Sequence, residues 1–483
     1  MSRAERAAVR QGTRTAAALG CLLALVSAAC TGGPEDRQQP GPKEAAHGPL
    51  VIASGLDVTG SGSVRQQLVE EWNRRHAGSE SQQAKLVELP GGADQQRSQL
   101  LGALQSGSAH YDVVNLDITW IPEFAEAGLI SPMPVAKTGA PDDAGFIEQV
   151  HATTVWKGRS YARPFNTDVG LLYYRPGSLK GIEPQNRPTD DWTWAQLLSS
   201  IDTMDLNPVK PGDRAGWTTQ LKEYEGLTVN TIEAFADAEV YLTDSEGHYL
   251  SNAEELKRGL DTLIDRVGDR RVQPAALDSD ETASLADFTE DRAVFLRHWP
   301  YAYGALASLM EPGEYRVRRL PGKAVLGGQN LAVAADSPRA DDARALIAFL
   351  TSPESERCLF DAGFAATRTS VYDGVSKPCW PRVDAAIRPA DDATGEGAPK
   401  RQSAQERTAY TETLRSALTV AVQRPRTPYY GAFTQVLQSH VYALLKADRR
   451  PDTDEAEELD AALRKAFAGR QEEPGKQGEE PGR

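Results

Sequence analysis

Short apolar segments alternate with amphipathic ones after Leu50, and this alternation restricts the fold more than any other feature of the sequence. The apolar segments cover residues 50–53, 84–89 and 111–116, and between the last two Leu100 and Leu104 recur at helical spacing. Strands that alternate with helices form parallel sheets through right-handed crossovers, in which ligands bind beyond the carboxyl ends of the strands. The sequence therefore predicts an α/β fold with a binding site at that edge.

A second lobe follows from the length of the chain and from a change of pattern after Trp156. The 483 residues exceed what one such sheet needs. Residues 163–175 form a strand-like segment, and the next strand-like segment is 327–335. Long amphipathic helical stretches lie between them, at 193–201, 225–242 and 253–267. The pattern predicts two lobes, with the chain crossing between them more than once.

The first thirty residues have the three-part plan of an export signal. Four arginines precede an apolar run over 16–26, and small residues then lead to Cys30. The run is shorter than the ~20 residues that span a bilayer, so we predict a cleaved signal peptide at 1–29. The small residues before Cys30 resemble the lipobox of bacterial lipoproteins, although Ser27 replaces its usual leucine. We therefore predict lipidation of Cys30, with plain secretion as the alternative.

Both ends of the mature chain are polar and rich in Pro and Gly. Residues 30–48 and 471–483 contain too few apolar side chains to order themselves by burial. We interpret the first segment as a flexible tether that is anchored by the lipid, and the second as a disordered acidic tail. The protein is then expected on the outer face of the cell membrane, attached through its N-terminal lipid only.

Four cysteines are present, and two of them remain after the signal region is assigned. Cys21 lies in the signal and Cys30 is the predicted lipid site, which leaves Cys358 and Cys379 in an oxidising compartment. This arrangement predicts a disulfide, with two free thiols as the alternative. No second Cys or His stands nearby at the spacing of metal ligands, so we predict no metal site.

Charge and missing motifs exclude several function classes. Lys and Arg number 53 against 68 Asp and Glu, and a net charge of −15 argues against a nucleic-acid partner. The sequence has no G-x-S-x-G, H-E-x-x-H or phosphate-binding loop, so we predict no cofactor and no enzyme activity. A secreted carbohydrate-active hydrolase remains an alternative, because a carboxylate pair such as Asp117 and Glu225 would need no motif.

Four further segments, in order along the chain, share a resemblance. They are 111–130, 161–175, 288–306 and 327–356. Over roughly residues 50–469 the chain resembles the extracellular solute-binding proteins of bacterial ABC importers, in the cluster that carries sugars and oligosaccharides. Within the third segment, Asp291 stands where the pattern of that family commonly has Gly.

The resemblance implies a two-lobed, periplasmic-binding-protein-like α/β fold. Each lobe would be a mainly parallel sheet flanked by helices, and hinge strands would join the lobes. We assign 49–162 and 325–357 to lobe 1, and 163–324 and 358–470 to lobe 2. The resemblance further implies that the lobes close on a solute without catalysis and deliver it to an ABC permease served by a separate ATPase.

A sugar site needs aromatic platforms beside polar groups whose hydrogen bonds are fixed in advance. The predicted ligand-binding residues combine such side chains with one glycine that allows close backbone approach. They are Asp57, Thr59, Gln95, Arg97, Asp117, Trp120, Asn166, Asp168, Glu225, Trp299, Tyr301, Gly328 and Arg368. Their alternatives are structural: Asp57 and Asp168 as caps, Trp120 in the core, and Arg368 in a salt bridge.

These observations combine into one functional prediction. The chain is expected to be an extracellular solute-binding lipoprotein that captures a small solute, foremost a carbohydrate, for import. The alternatives are the hydrolase and a bilobal surface sensor lipoprotein without a transporter. Several acidic candidates favour neutral or cationic ligands over anions.

Overall fold

The computed structural model describes residues 48–56, 63–107, 110–134, 145–182, 187–268, 271–387 and 403–469. All of them lie in one compact unit, Ala45–Arg483. The predicted signal peptide, Cys30, nearly all of the tether, the acidic tail, Asp57 and Thr59 lie outside the described residues. Within those ranges, no helix is both long and apolar enough to cross a membrane.

The strands fall into two main sheets and one small hairpin. They are β1 (Leu50–Gly55), β2 (Ala84–Leu89), β3 (Val113–Asp117), β4 (Val155–Trp156), β5 (Arg159–Ser160), β6 (Ala162–Val169), β7 (Leu171–Tyr174), β8 (Ala215–Thr218), β9 (Ala293–His298), β10 (Arg316–Arg319) and β11 (Leu326–Val333).

Helices cover the sheets. They are α1 (Val64–Arg75), α2 (Ala93–Ser106), α3 (Ile121–Glu126), α4 (Glu148–Ala152), α5 (Trp194–Asp202), α6 (Glu225–Asp237), α7 (Ala253–Val267), α8 (Glu281–Thr289), α9 (Ala302–Leu309), α10 (Ala340–Leu350), α11 (Pro353–Asp361), α12 (Thr369–Tyr372), α13 (Pro381–Ile387), α14 (Ala404–Val420), α15 (Tyr430–Ala447) and α16 (Thr453–Phe467). Several begin at residues suited to the task. Ser403 and Asp452, for example, cap the backbone of α14 and α16 in capping boxes with Glu406 and Glu455.

The first sheet has the strand order β2-β1-β3-β11-β6. Strand β1 pairs in parallel with β2 and β3, which confirms the predicted parallel unit. Only β11 is reversed, and it pairs antiparallel with both β3 and β6. Consecutive residues of β3 enter different cores, Val113 on one face and Val114 on the other. Burial on both faces explains why these strands are continuous apolar runs in the sequence.

The second sheet has the order β10-β7-β9-β8. Strand β8 is parallel to β9, but β7 is antiparallel to both β9 and β10. This sheet therefore departs from the mainly parallel arrangement that the resemblance implies. The reason lies in connectivity, since β7 enters the second sheet directly from β6 of the first without a crossover helix.

A single residue, Gly170, joins the two sheets at this point, because β6 ends at Val169 and β7 begins at Leu171. A Cβ on Gly170 would lie 2.5 Å from Glu233 Oε1 and 3.0 Å from Arg297 Nη2. Glycine thus makes room for a buried ion pair, Arg297 Nη2 to Glu233 Oε1 at 2.7 Å. Glu233 also accepts a hydrogen bond from Val325 N, where the chain returns to β11, at 3.2 Å. The pair therefore lies between two crossings of the chain.

The predicted disulfide is present between Cys358 and Cys379. Both cysteines pack in the core that also holds Leu50 and Ile52 of the first sheet. Residues from 358 onward are predicted to belong to lobe 2, whereas α11 and α13 share their core with β1. The lobe boundaries themselves stay a prediction.

Candidate ligand-binding site

A row of polar side chains crosses four adjacent strands of the first sheet. Arg65 of α1 donates to Ser54 Oγ at 3.1 Å, to Asn166 Oδ1 at 3.1 Å and to Gln329 Oε1 at 2.7 Å. Asn115 Nδ2 donates to Ser54 Oγ at 2.9 Å and to Gln329 Oε1 at 2.6 Å. These bonds fix β1, β3, β11 and β6 relative to one another. Predicted Asn166 is therefore part of a buried network that supports the sheet edge.

Arg424 connects two predicted carboxylates. Its Nη2 lies 2.8 Å from Asp117 Oδ1 and its Nη1 lies 2.6 Å from Glu225 Oε1. Asp117 Oδ1 also accepts the backbone N–H of Thr119 at 2.9 Å, so it closes the turn before α3 as well. The guanidinium is buried, with 3% of the side chain exposed. Asp117 and Glu225, from distant parts of the sequence, thus share one cation.

The surroundings of Glu225 favour the protonated form of its carboxyl group near neutral pH. Burial raises the pKa of Glu225 to about 7, against the opposing effect of Arg424. Its carboxylate also accepts from Tyr430 and Thr434 of α15. Asp94 of α2 accepts the backbone N–H of Glu225 at 3.1 Å, and burial raises the pKa of Asp94. The first turns of α2 and α6 therefore meet at this point.

Among the predicted ligand-binding residues, Asp168 has a carboxyl oxygen without a hydrogen-bond donor. Its Oδ1 is buried and has no hydrogen-bond partner among the described residues, and Oδ2 receives only a long bond of 3.4 Å from Asn166. Burial raises the pKa of Asp168 to about 7, and the nearby cations of Arg65 and Arg424 oppose that rise. An unpaired buried carboxyl oxygen is costly unless another group satisfies it.

An indole ring and the Cβ of Asp168 both lie close to Gly327. A Cβ on Gly327 would lie 3.1 Å from Asp168 Cβ and 3.3 Å from Trp299 Cζ3. The absence of a side chain at Gly327 thus lets the ring of Trp299 approach the strand. Trp299 is partly buried, and the guanidinium carbon of Arg297 lies 4.0 Å from the centroid of its ring.

Further aromatic residues surround Glu281 of α8. Trp299 Nε1 donates to Glu281 Oε1 at 3.3 Å, and Tyr224 Oη donates to Glu281 Oε2 at 2.8 Å. Tyr301 packs edge-to-face on His298 with ring centroids 5.1 Å apart. Burial raises the pKa of Tyr301 well above its ordinary value, so its hydroxyl stays protonated. The aromatic group predicted around Trp299 is therefore assembled beside an acidic partner.

Gly328 is required by the backbone of the sheet. Its φ is +117°, and a Cβ there would lie 2.5 Å from the carbonyl oxygen of Asn166. The register between β11 and β6 shifts at the next residue. The close backbone approach that we predict at Gly328 is therefore made between strands β11 and β6.

Three other predicted residues have structural contacts, and a fourth is exposed. Arg97 Nε donates to Glu123 Oε2 at 2.7 Å, and Trp120 packs in the core beside the first sheet. Arg368 Nε donates to the carbonyl of Thr351 at 2.9 Å, and its guanidinium lies 4.0 Å from the ring of Phe146. Gln95 is exposed on α2. Ligand contact remains a prediction for every residue named in the sequence analysis.

Sequence reasoning missed the cations that organise the site. Arg65 follows the same helical face as Leu68 and Trp72, so a charged residue within an apolar stripe could have indicated it. Arg424 stands in a segment without periodicity, and no local signal could have indicated it. Among the described residues, no group of three or more His, Cys, Asp or Glu could hold a metal.

Two sheets joined by direct crossings, with polar and aromatic side chains collected near those crossings, define a two-lobed binding protein. The chain belongs to the family described as Bacterial extracellular solute-binding protein, which it matches over residues 57–357. This confirms the family that the resemblance implied.

Individual relatives agree with this assignment. A Deinococcus radiodurans protein described as a probable ABC transporter-binding protein is 29% identical over 306 residues, 60% of this chain and 70% of its own. Maltose-bound MalE3 of T. maritima has a TM-score of 0.66 at 22% identity and covers 87% of this chain and 99% of its own. The GacH receptor of Streptomyces glaucescens, solved unliganded and with acarbose, has a TM-score of 0.67 at 19% identity. The match covers 88% of this chain and 100% of the GacH chain. The two-lobed α/β fold is therefore confirmed.

Proposed function

We propose that this protein captures a neutral or cationic polar solute, foremost a sugar or polyol, between its two lobes. The observation that carries the proposal is the unpaired Oδ1 of Asp168 beside the ring of Trp299. A sugar hydroxyl or an ammonium group would satisfy that oxygen, while an apolar C–H face would pack on the indole. Asp117 and Glu225 lie nearby but already share Arg424, so Asp168 is the carboxyl group with an oxygen left to satisfy.

The relatives give independent support for the solute class. MalE3 was solved with maltose, GacH with acarbose, and a Thermotoga lettingae solute-binding protein with α-D-tagatose. All three ligands carry many hydroxyl groups. A hydroxyl-rich solute therefore suits both the fold and the chemistry around Asp168.

The crossings between the sheets support a closure mechanism. Gly170 and the return before β11 are short connections about which two lobes can rotate, and a solute that contacts both lobes stabilises the closed form. The closed form would then dock on an ABC permease powered by a separate ATPase. Lipidation of Cys30 would hold the protein at the outer face of the membrane.

Thermal unfolding of the purified protein against mono- and oligosaccharides, polyols and polyamines tests the proposal, because a ligand that binds only the folded state raises the melting temperature. We expect Asp168→Asn and Trp299→Ala to weaken the binding of the stabilising solute at least tenfold. Trp380→Ala is the matched control, since Trp380 is also partly buried but stacks on Phe349 near the disulfide. Unchanged affinity in both site variants would show that the site is misplaced.

A hydrolase is the second candidate, and the observation that favours it is the raised pKa of Glu225 beside Asp117. A protonated carboxyl group next to an ionised one is the pairing that glycoside hydrolysis requires. Arg424 pairs with both groups, which opposes the protonation that the acid of such a pair requires. Chromatography of the sugar after incubation separates the two functions, because a binding protein returns it unchanged.

A further inference from the structure

A surface cavity of about 480 Å³ lies beside the second sheet, away from every predicted site residue. Its charged lining consists of Arg175, Lys180, Arg214, Arg316, Asp291 and Glu314, and residues 176–178 and 313 complete it. The volume falls within the ~300–1,000 Å³ of small-molecule sites. Four cations against two carboxylates make this a positive cavity in a chain of net charge −15.

Asp291 holds two of these arginines together at the cavity wall. Its Oδ1 lies 3.2 Å from Arg175 Nε and 2.9 Å from Arg214 Nη2. Its φ is +59°, in the left-handed region that Asp enters more readily than most residues other than glycine.

Arg175 also donates to the backbone carbonyls of Phe288 and Thr289, and Arg214 Nη2 donates to Ser178 Oγ at 2.6 Å. Arg214 Nε is buried and has no hydrogen-bond partner among the described residues. Arg175 is largely buried, with 14% of its side chain exposed, and this burial lowers its pKa. A second anion at the wall would stabilise both charged groups.

The remaining charged groups offset these cations only in part, because Glu314 acts to raise the pKa of Arg175 but forms no ion pair with Arg214 or Lys180 among the described residues. Lys180 is exposed and forms no ion pair with a described residue. Glu314 accepts the backbone N–H of Glu311 at 2.8 Å and so closes its own turn. Arg316 pairs with Glu406 at 2.7 Å and is already neutralised.

We propose that this cavity binds a small solute carrying a phosphate or carboxylate group, with the oxyanion between Arg214 and Lys180. Arginine presents paired N–H donors that match the geometry of either group, and lysine adds a mobile cation opposite. This second site differs in charge preference from the acidic site at Asp168. It does not depend on the proposed transport function.

The test is thermal unfolding of the full chain with inorganic phosphate or succinate, compared with sodium chloride at equal ionic strength. We expect phosphate, succinate or both to raise the melting temperature beyond chloride, and Lys180→Gln/Arg214→Gln to weaken this binding at least tenfold. Whichever anion acts more strongly identifies the group. The control is Lys85→Gln/Arg344→Gln, which removes an exposed lysine and an arginine of the first sheet and its covering helix.

The single variant Lys180→Gln keeps the test valid if Arg214→Gln disturbs Asp291, because an exposed lysine contributes little to folding. It should weaken anion binding at least threefold and leave stabilisation by the transported solute unchanged. The proposal is overturned if neither anion exceeds chloride, or if the double variant binds the anion as the wild type does.

Discussion

The buried ion pair between Arg297 and Glu233 allows a quantitative prediction about stability. The two side chains are 1% and 2% exposed, and they are joined by two hydrogen bonds of 2.7 and 3.2 Å. Arg297→Met would leave Glu233 as a buried carboxylate with one backbone donor, Val325 N. Removing one partner of a buried pair costs about 3–5 kcal/mol. We therefore expect the free energy of unfolding to fall by that amount.

Urea denaturation measures this change, and the denaturant slope should stay constant if the unfolded state is unaffected. In Arg297→Met/Glu233→Gln both charges are absent, while an amide oxygen remains to accept from Val325 N. We expect the double variant to recover at least half of the loss. Arg344→Met is the matched control, because its partner Asp341 is 100% exposed, and should cost under ~1 kcal/mol. Equal losses in Arg344→Met and Arg297→Met would refute the reasoning.

Three further predictions follow from other residues. Gly328→Ala should destabilise the protein by about 1–3 kcal/mol in urea denaturation, because its Cβ would press on the Asn166 carbonyl; a neutral effect would contradict the described backbone. Reduction of Cys358–Cys379, which are 21 residues apart, should cost about 3 kcal/mol by loop entropy, seen as a lower melting temperature with dithiothreitol. Burial raises the pKa of Glu356 from 4.5 to about 8. The contribution of Glu356 to the stability of the fold is therefore full below its pKa in the unfolded state, and it is lost as the pH rises through its pKa in the folded state. Glu356→Gln should therefore lose less stability than the wild type between about pH 5 and about pH 8.5, and parallel curves would exclude this assignment.

The parallel unit of the first sheet could be predicted because burial on both faces leaves continuous apolar runs. The division of residues 163–175 could not, since β6 and β7 form one uninterrupted strand-like pattern and only Gly170 separates them. Which sheet each half joins depends on β11 and β9, far along the chain. Sequence periodicity carries no information about such partners.

The candidate site was partly predictable for a related reason. Asp117 and Asp168 stand at strand ends, where topology alone concentrates ligand contacts. Arg424 lies 307 residues from Asp117 and its segment has no pattern, so the pairing appears only in three dimensions. Arg368, a predicted ligand contact, has its guanidinium 4.0 Å from the ring of Phe146, and nothing in the sequence distinguishes a ligand-facing arginine from one that covers a ring.

The reversed strand β11 has a consequence for how this protein is made. It fills the space between β3 and β6, although Gln329 is 214 residues from its hydrogen-bond partner Asn115. Until β11 has been synthesised, β3 and β6 keep unpaired edges, and pairing across so long a loop is slow. The first sheet therefore cannot close early in synthesis. If the predicted export signal operates, that delay would prolong the unfolded state in which a polypeptide can pass through a membrane channel, and the sheet would be completed on the far side.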